Sequence, residues 1–406
     1  MDFNLLDNLL LGFSVAVTPQ HLMYCFIGVF IGTLIGVLPG IGPVAAIAML
    51  LPATFTLPPI AALIMLSGIY YGSQYGGSTT AILVKLPGES ASVVTCLDGH
   101  EMARQGRAGP ALAIAALASF AAGTAGTLLI ALAGPPLAEL ALKFGAAEYF
   151  SLMVLGLVAS VVLTQGSLLK GLAIIVLGLL LGIVGTDVNS GMARFTFGVS
   201  GLSDGIGFVV VAMGVFGLAE IISNLEQGGG KRDLLFQKIR NLWPTGEDFR
   251  RSWKPVLRGI GLGSFFGPLP GTGPTISAFS SYALEKKLAD DPSRFGKGAV
   301  EGVAGPEAAN NAAAQTSFIP ALTLGIPGSA TMALMIGALT IQGIAPGPQV
   351  MTQRPDLFWG LIASMWIGNL FLVILNLPLV GLWVKLLAIP YRFLFPAIMM
   401  FMAIGV

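Results

Sequence analysis

The amino-acid sequence predicts an all-α polytopic membrane protein made of two related halves, read as inverted repeats with broken or re-entrant helices. Three observations carry that prediction: an apolar composition, a set of long hydrophobic runs, and a Gly-Pro motif that occurs twice in matching surroundings.

Of 406 residues, 55% are hydrophobic and 10% charged, and the mean hydropathy is +0.83. A soluble globule of this length needs more polar surface than that to face water. The runs 25–38, 111–133, 168–184, 206–222 and 357–377 are, with their flanks, long enough to cross a hydrocarbon core of roughly 30 Å as helices. The alternating pattern of an outer-membrane barrel is missing. The opening "MDFNLLDNLL" holds Asp2 and Asp7 and no basic residue, so it lacks the charged start of a cleaved secretory signal and the first helix is expected to be retained. Cys25 and Cys96 stand in no metal-binding spacing and are expected to be buried thiols.

The net charge of +1 argues against a nucleic-acid partner. One basic stretch divides the chain. Between Glu226 and Arg258 lie Lys231, Arg232, Lys238, Arg240, Arg250, Arg251 and Lys254 against Asp233, Glu247 and Asp248, which places this stretch in the cytoplasm by the positive-inside tendency. An amphipathic segment resting on anionic lipid would occupy the same side. The expected organisation is therefore a first transmembrane repeat over 1–224, a cytoplasmic linker over 225–258 and a second repeat over 259–406.

The repeat rests on two correspondences. "GVLPGIGP" (36–43) matches "GPLPGTGP" (267–274), and "AILVKLPGES" (81–90) matches "ALTLGIPGSA" (321–330). Interrupted hydrophobic segments at corresponding places in two halves point to the binding site of a secondary transporter. A break in a helix bares amides and carbonyls, and it survives at membrane depth only inside protein or beside a water-filled cavity. Proline removes a donor and clashes with the preceding turn, while glycine permits tight turns and close approach. Where a half-helix restarts, its free amides suit an anion. Ser90, Ser92, Ser329 and Thr331 stand at such restarts, and Glu89 would repel an anion there unless paired or turned away. The competing reading of these residues is a set of simple kinks in packed helices. Gly28, Gly32 and Gly36, and likewise Gly178 and Gly182, read as helix-packing faces.

In "GPEAANNAAAQTSF" (305–318), Glu307, Asn311 and Gln315 share one helix face among alanines. Polar groups at that depth generally face a cavity, although hydrogen bonding between helices would also explain them. "SGIYYGSQYGGSTT" (67–80) is the matching stretch of the first half. Lys85 is either a counter-charge for a ligand or a snorkelling side chain. "LDGHEMARQGRAG" (97–109) reads as an interfacial loop. The candidate substrate site comprises Gly40, Gly42, Ser78, Thr79, Gly88 and Ser90, with Gly271, Thr272, Gly273, Asn310, Asn311, Gln315, Gly328, Ser329 and Thr331. Glu307 and Asn310, with bare carbonyls at the breaks, are candidates for a coupling cation, Na⁺ or H⁺. No other cofactor is expected. "GVSG" (198–201) resembles an intramembrane serine-protease motif, but a serine nucleophile needs a base, and His21 and His100 are the only histidines. An enzyme is not expected. An ion channel built on the same breaks is the alternative.

The chain resembles the large membrane subunit of the tripartite tricarboxylate transporter family. The resemblance lies in "GVLPGIGPVAAIAMLLP", "GIYYGSQYGGSTTAIL", "LPGESASVVTCLDGHEMARQGRAGPAL", "FFGPLPGTGPTISAFSSYALEKK", "GVAGPEAANNAAAQTSFIPALTLGIPGSATMALMIGAL" and "QGIAPGP". It implies a bacterial inner-membrane symporter for carboxylates such as citrate, working with a small membrane subunit and a periplasmic substrate-binding protein. Members of that family continue past Val406, so the second repeat is expected to be cut short.

Overall fold

The computed structural model describes residues 4–38, 42–161, 167–187, 192–207, 242–271 and 273–387, with scattered positions between 210 and 222. The described residues are helical almost throughout. The exceptions include a short antiparallel pair, β1 (Gly185–Thr186) and β2 (Ala193–Arg194), in which Gly185 faces Arg194. Most of the 206–222 run and linker residues 225–241 lie outside the described residues.

Proline starts helices here more often than it breaks them. α1 (Leu5–Ala16) leads to α2 (Pro19–Val37), α3 (Pro43–Leu50) and α4 (Pro59–Val84), the last three opening on proline, whose fixed φ suits a first turn that needs no donor. α5 (Thr95–Met102) runs through a π-helical turn into α6 (Ala108–Ala141). α7 (Ala146–Val161) and α8 (Leu168–Gly182) follow. The second half holds α9 (Gly246–Phe266), α10 (Gly273–Leu288), α11 (Glu301–Thr316), α12 (Phe318–Thr323), α13 (Ala330–Ile341), α14 (Gln349–Gln353), α15 (Pro355–Asn376) and α16 (Val380–Leu387). Residues 246–258, read as the end of the linker, form the first turns of α9, which starts in a capping box between Thr245 and Asp248.

Among the described residues, three helical stretches are long and apolar enough to span a bilayer: Pro19–Val37, Thr95–Ala141 and Pro355–Asn376. α4 is of a different kind. Every residue from Ala61 to Leu83 is buried, so this 26-residue helix is wrapped by protein and can carry hydroxyls, amides and tyrosines. α11 is its counterpart in burial, with Gly302–Thr316 enclosed. Phe150, Leu155, Leu168 and Leu169 on α7 and α8 are exposed, as apolar side chains facing hydrocarbon would be.

Glycine seams clamp these inner helices. A Cβ built on Gly28, Gly32 or Gly36 of α2 would run into the backbone of Met65, Ile69 or Ser73 of α4. One built on Gly259, Gly263 or Gly267 would run into Gly305, Ala309 or Ala313. Backbones meet this closely only where both sides are small or main chain. Gly178 and Gly182 differ from the expectation: a Cβ on either would meet nothing within 4 Å, so they form no such seam among the described residues.

The polar stretch after Pro87 also differs, being helical where an interfacial loop was expected. Asp98 of α5 is fully buried and its Oδ1 accepts the amides of Gly296, Gly298 and Ala299 at 2.9, 2.8 and 2.8 Å, while Tyr282 donates to Oδ2 at 2.9 Å. Gln105 donates to the Lys297 carbonyl at 2.8 Å, and Arg107 pairs with Asp248 at 2.5 Å. These bonds tie the first half of the chain to the second. Burial works to raise the Asp248 carboxyl, but the Thr245 amide and hydroxyl and the Arg107 guanidinium outweigh it and hold it below the usual carboxylate range.

Gly32→Val is expected to lower the melting temperature of the detergent-solubilised protein, because overpacking a tight seam costs roughly 1–3 kcal/mol. Gly178→Val in α8 should leave it unchanged. Asp98→Ala, which strands three amides and a phenol, should destabilise by roughly 3 kcal/mol or more in the same assay.

Candidate functional site

The helices stop where the Gly-Pro and Pro-Gly pairs stand. α2 ends at Val37 and the chain resumes as helix at Pro43, with Gly42 as N-cap. Gly40 lies outside the described residues, as does Thr272. α4 ends at Lys85, an exposed left-handed residue with φ 56°. α12 ends at Thr323, and Ser329 caps α13, its hydroxyl accepting the Met332 amide at 3.2 Å. Glu89 takes the same extended conformation as Ser329 and accepts the Ala91 amide at 3.0 Å.

The breaks touch one another. The Gly271 amide donates to the Gly328 carbonyl at 2.8 Å, which joins the two breaks of the second half. Gly271 has φ +83°, open to glycine and strained for other residues. In the first half, a Cβ on Gly88 would collide with the Gly36 carbonyl oxygen and with Gly77. Across the halves, the Ser90 and Thr275 hydroxyls lie 2.8 Å apart. Gly42 and Gly273 stand open, since a Cβ on either would meet nothing within 4 Å.

A buried polar cluster adjoins these breaks. Glu307 of α11 is fully buried and accepts from Ser78 of α4 at 2.6 Å, from Thr95 of α5 and from Ser119 of α6 at 3.4 Å. Asn311 donates to Ser119 at 2.7 Å. Glu89 forms a second group with Gln74 and Asn310. Asn310 donates to Glu89 at 3.5 Å, and Gln74, turned with its amide nitrogen toward them, donates to Asn310 at 2.7 Å and to Glu89 Oε1 at 2.9 Å. Gly77 makes room, because a side chain there would press on the Glu89 Cγ.

The structure thus gathers Ser78, Asn311 and Glu307 into one group and Asn310 with Glu89 into another, with Gly88 and Ser90 flanking Glu89 in the chain. Other residues stand apart. Thr79 donates to the Tyr75 carbonyl of its own helix at 3.4 Å. Gln315 packs against Gly126 of α6, and its carbonyl oxygen has no partner. Thr331 is buried in the first turn of α13. The Glu307, Asn311 and Gln315 face meets α6 directly, where a cavity was expected. The reason is the small side chains of α6, which allow close approach. The anion expected at the restart after Pro87-Gly88 is supplied by the protein itself, since the Glu89 carboxylate caps that turn.

Sequence reasoning missed Gln74, Thr95 and Ser119. Ser119 carried a usable signal, being the only hydroxyl in "ALAIAALASFAAG" (111–123). Thr95 was hidden by the loop reading of its surroundings, and Gln74 by its partner being distant in sequence. Ser200 opens an exposed turn, while the ring nitrogens of His21 and His100 contact the carbonyls of Val15 and Ile82.

A profile of the tripartite tricarboxylate transporter TctA family matches residues 22–406. The chain belongs to that family. TctA is a transporter family, so this chain has the role of a membrane transport protein. It is also similar to two proteins of Agrobacterium vitis. An uncharacterised 52.8 kDa protein of the TAR-I ttuC' 3' region is 63% identical over 402 residues, covering 99% of this chain and 80% of the relative. An uncharacterised protein of the TAR-II ttuC' 3' region is 67% identical over 143 residues, covering 35% of this chain and 59% of the relative. No solved structure matches the chain. The profile includes the breaks and the cluster around Glu307, so the polar interior of this TctA chain lies within the part shared with its family.

Ser119→Ala takes one donor from Glu307 and the hydroxyl acceptor from Asn311. Melting in detergent should report a loss of about 1–3 kcal/mol, the cost of leaving buried polar groups short of a partner. An unchanged melting temperature would mean that these bonds carry no weight.

Proposed function

We propose that this TctA-family chain is the large permease subunit of a cation-coupled uptake system for tricarboxylates or related carboxylate anions. It resides in the bacterial inner membrane with the 225–258 linker in the cytoplasm, and it works with a small membrane subunit and a periplasmic substrate-binding protein. One observation carries the reading: breaks from both halves of a transporter-family chain converge, through Ser90 and Thr275, beside a buried cluster rich in neutral donors.

The substrate is held near the membrane centre by hydroxyls, carboxamides and main-chain amides. Gly42 and Gly273, at the starts of α3 and α10, offer open backbone where an anion meets the positive end of a helix. Ser78, Ser90, Asn310 and Asn311 supply neutral donors. Such donors bind an anion without the deep charge pairing that would slow its release. Carbonyls at the breaks, Asn310 and Glu307 serve the coupling cation.

The two halves are inverted repeats in this reading, each with a broken, re-entrant element. The seams support their kinship. Residues 28, 32 and 36 correspond to 259, 263 and 267, a constant offset of 231, while their contacts at 65, 69 and 73 correspond to 305, 309 and 313, a constant offset of 240. Glu89 and Ser329, matched in "LPGES" and "IPGSA", share one backbone conformation and one capping role.

The decisive measurement is flux into proteoliposomes holding the complete subunit set, tested against a carboxylate panel with and without a Na⁺ or proton gradient. Saturable, gradient-dependent carboxylate uptake is the expected result, and a non-saturating flux independent of any cation gradient would replace this reading with a channel. Gly271→Val should cut uptake by about tenfold or more, because it strains a left-handed turn and disturbs the joined breaks. Quantifying the inserted, monodisperse protein separates this from failed folding, and wild-type uptake in that variant would remove the site.

A further inference from the structure

Glu307 and Glu89 are buried carboxylates, and among the described residues neither forms an ion pair. Glu307 accepts side-chain hydrogen bonds from hydroxyls, and Glu89 from an amide and carboxamides. The two are linked through α11, where Asn310, one turn on from Glu307, donates to Glu89 at 3.5 Å. Tyr75, one turn before Ser78 on α4, has a buried hydroxyl with no partner.

Among the described residues, charged groups on the surrounding helices pair elsewhere or face outward. Arg258 of α9 pairs with Glu285 of α10, and Asp98 of α5 is held by loop amides and Tyr282. His100 meets the Ile82 carbonyl, and Lys85 is exposed. Two bare carboxylates in a low-dielectric interior are costly, and a multiply charged anion brought beside them raises the cost further.

We propose that Glu307, with Glu89 as its charged neighbour, is a cation-loading site: one positive charge, a proton or Na⁺, settles on the Glu307 carboxylate before the anionic substrate enters. This deepens the carboxylate-carrier reading and rests on it. The hydroxyl partners suit such a site. Ser78, Thr95 and Ser119 donate to the bare carboxylate, and each can rotate to offer a lone pair once a proton or ion is bound. They come from α4, α5 and α6, so loading changes bonds between helices. Asp98 is the contrast within the same molecule. Backbone amides point at it in fixed directions and can only donate, so they could offer no lone pair to a bound ion.

Order of binding follows from the charges. The anion is repelled while both carboxylates are bare and is admitted when one is neutralised. The coupling is reciprocal, so bound substrate must tighten the hold on the cation.

The test uses proteoliposomes with the complete subunit set, Glu307→Gln and Glu89→Gln variants, and labelled citrate or whichever carboxylate of the panel the wild type carries. Two fluxes are read. One is concentrative uptake driven by a proton or a Na⁺ gradient imposed singly; the other is exchange of labelled for unlabelled carboxylate without a gradient. The gradient that drives the wild type tells the proton from Na⁺. Glu307→Gln should lose driven uptake by about tenfold or more while exchange stays within about threefold of wild type. Glu89→Gln, having lost a charge that attracts the cation, should need more cation for half-maximal uptake.

Wild-type gradient dependence in both variants overturns the cation role and leaves the carboxylate reading standing. Loss of uptake and exchange together in folded Glu307→Gln also overturns it, because the side chain then serves substrate or scaffold. Absence of carboxylate flux in the wild type removes the underlying reading itself.

Discussion

A main chain that leaves the helix inside a membrane must find partners for its amides and carbonyls within the protein, and the rest of this structure is arranged around that requirement. The breaks therefore come in pairs. The Gly271 amide finds the Gly328 carbonyl, and the Gly36 carbonyl faces Gly88 with the Thr80 hydroxyl oxygen 3.5 Å away. Thr80 donates its hydroxyl hydrogen to the Gly77 carbonyl at 2.9 Å. A single break in an isolated helix would leave such groups bare. Two breaks brought together give such groups partners, while among the described residues Gly42 and Gly273 keep open space beside their backbone.

The glycine seams are what bring the breaks together. Gly36, in the last turn of α2, and Gly267, the C-cap of α9, are the last contacts of their seams and lead directly into the breaks. If α2 stood off from α4 by the width of a side chain, Gly88 would lose its place against the Gly36 carbonyl. The same closeness governs the polar cluster, because Ser119 reaches both Glu307 and Asn311 across an interface of alanine and glycine. Small residues thus set the positions of backbone breaks and buried side chains alike.

This explains how much could be read from the chain itself. Patterns of fixed spacing were legible: the glycines four apart, the duplicated Gly-Pro and Pro-Gly pairs, and the Glu307, Asn311 and Gln315 face all follow from helical periodicity. Partners distant in sequence were not. Asp98 reads as one carboxylate in a polar stretch, and nothing local announces that loop amides nearly two hundred residues away enclose it. Glu89 looked like an obstacle to anion binding until its partners Gln74 and Asn310 were in view. Gly178 and Gly182 show the converse. They have the spacing of a seam without the opposing backbone, and spacing on one helix cannot supply the other.

The chemistry chosen for the interior is consistent with a molecule that must let go of what it binds. An arginine beside Glu307 or Glu89 would settle the charge once and permanently, as Arg258 does for Glu285 at the polar end of α10. Hydroxyls and carboxamides do not settle it. They can donate to a charged group or accept from a neutral one, so the same side chains serve more than one state of charge at little cost in rearrangement. Directional, permanent bonds are kept for the joints that hold α5 to the 296–299 loop and Arg107 to Asp248. Reversible bonds are kept for the centre, where α4, α5, α6 and α11 meet around one carboxylate. A change in the charge of that one group is therefore felt by four helices at once, which is the mechanical condition for linking an ion to a movement.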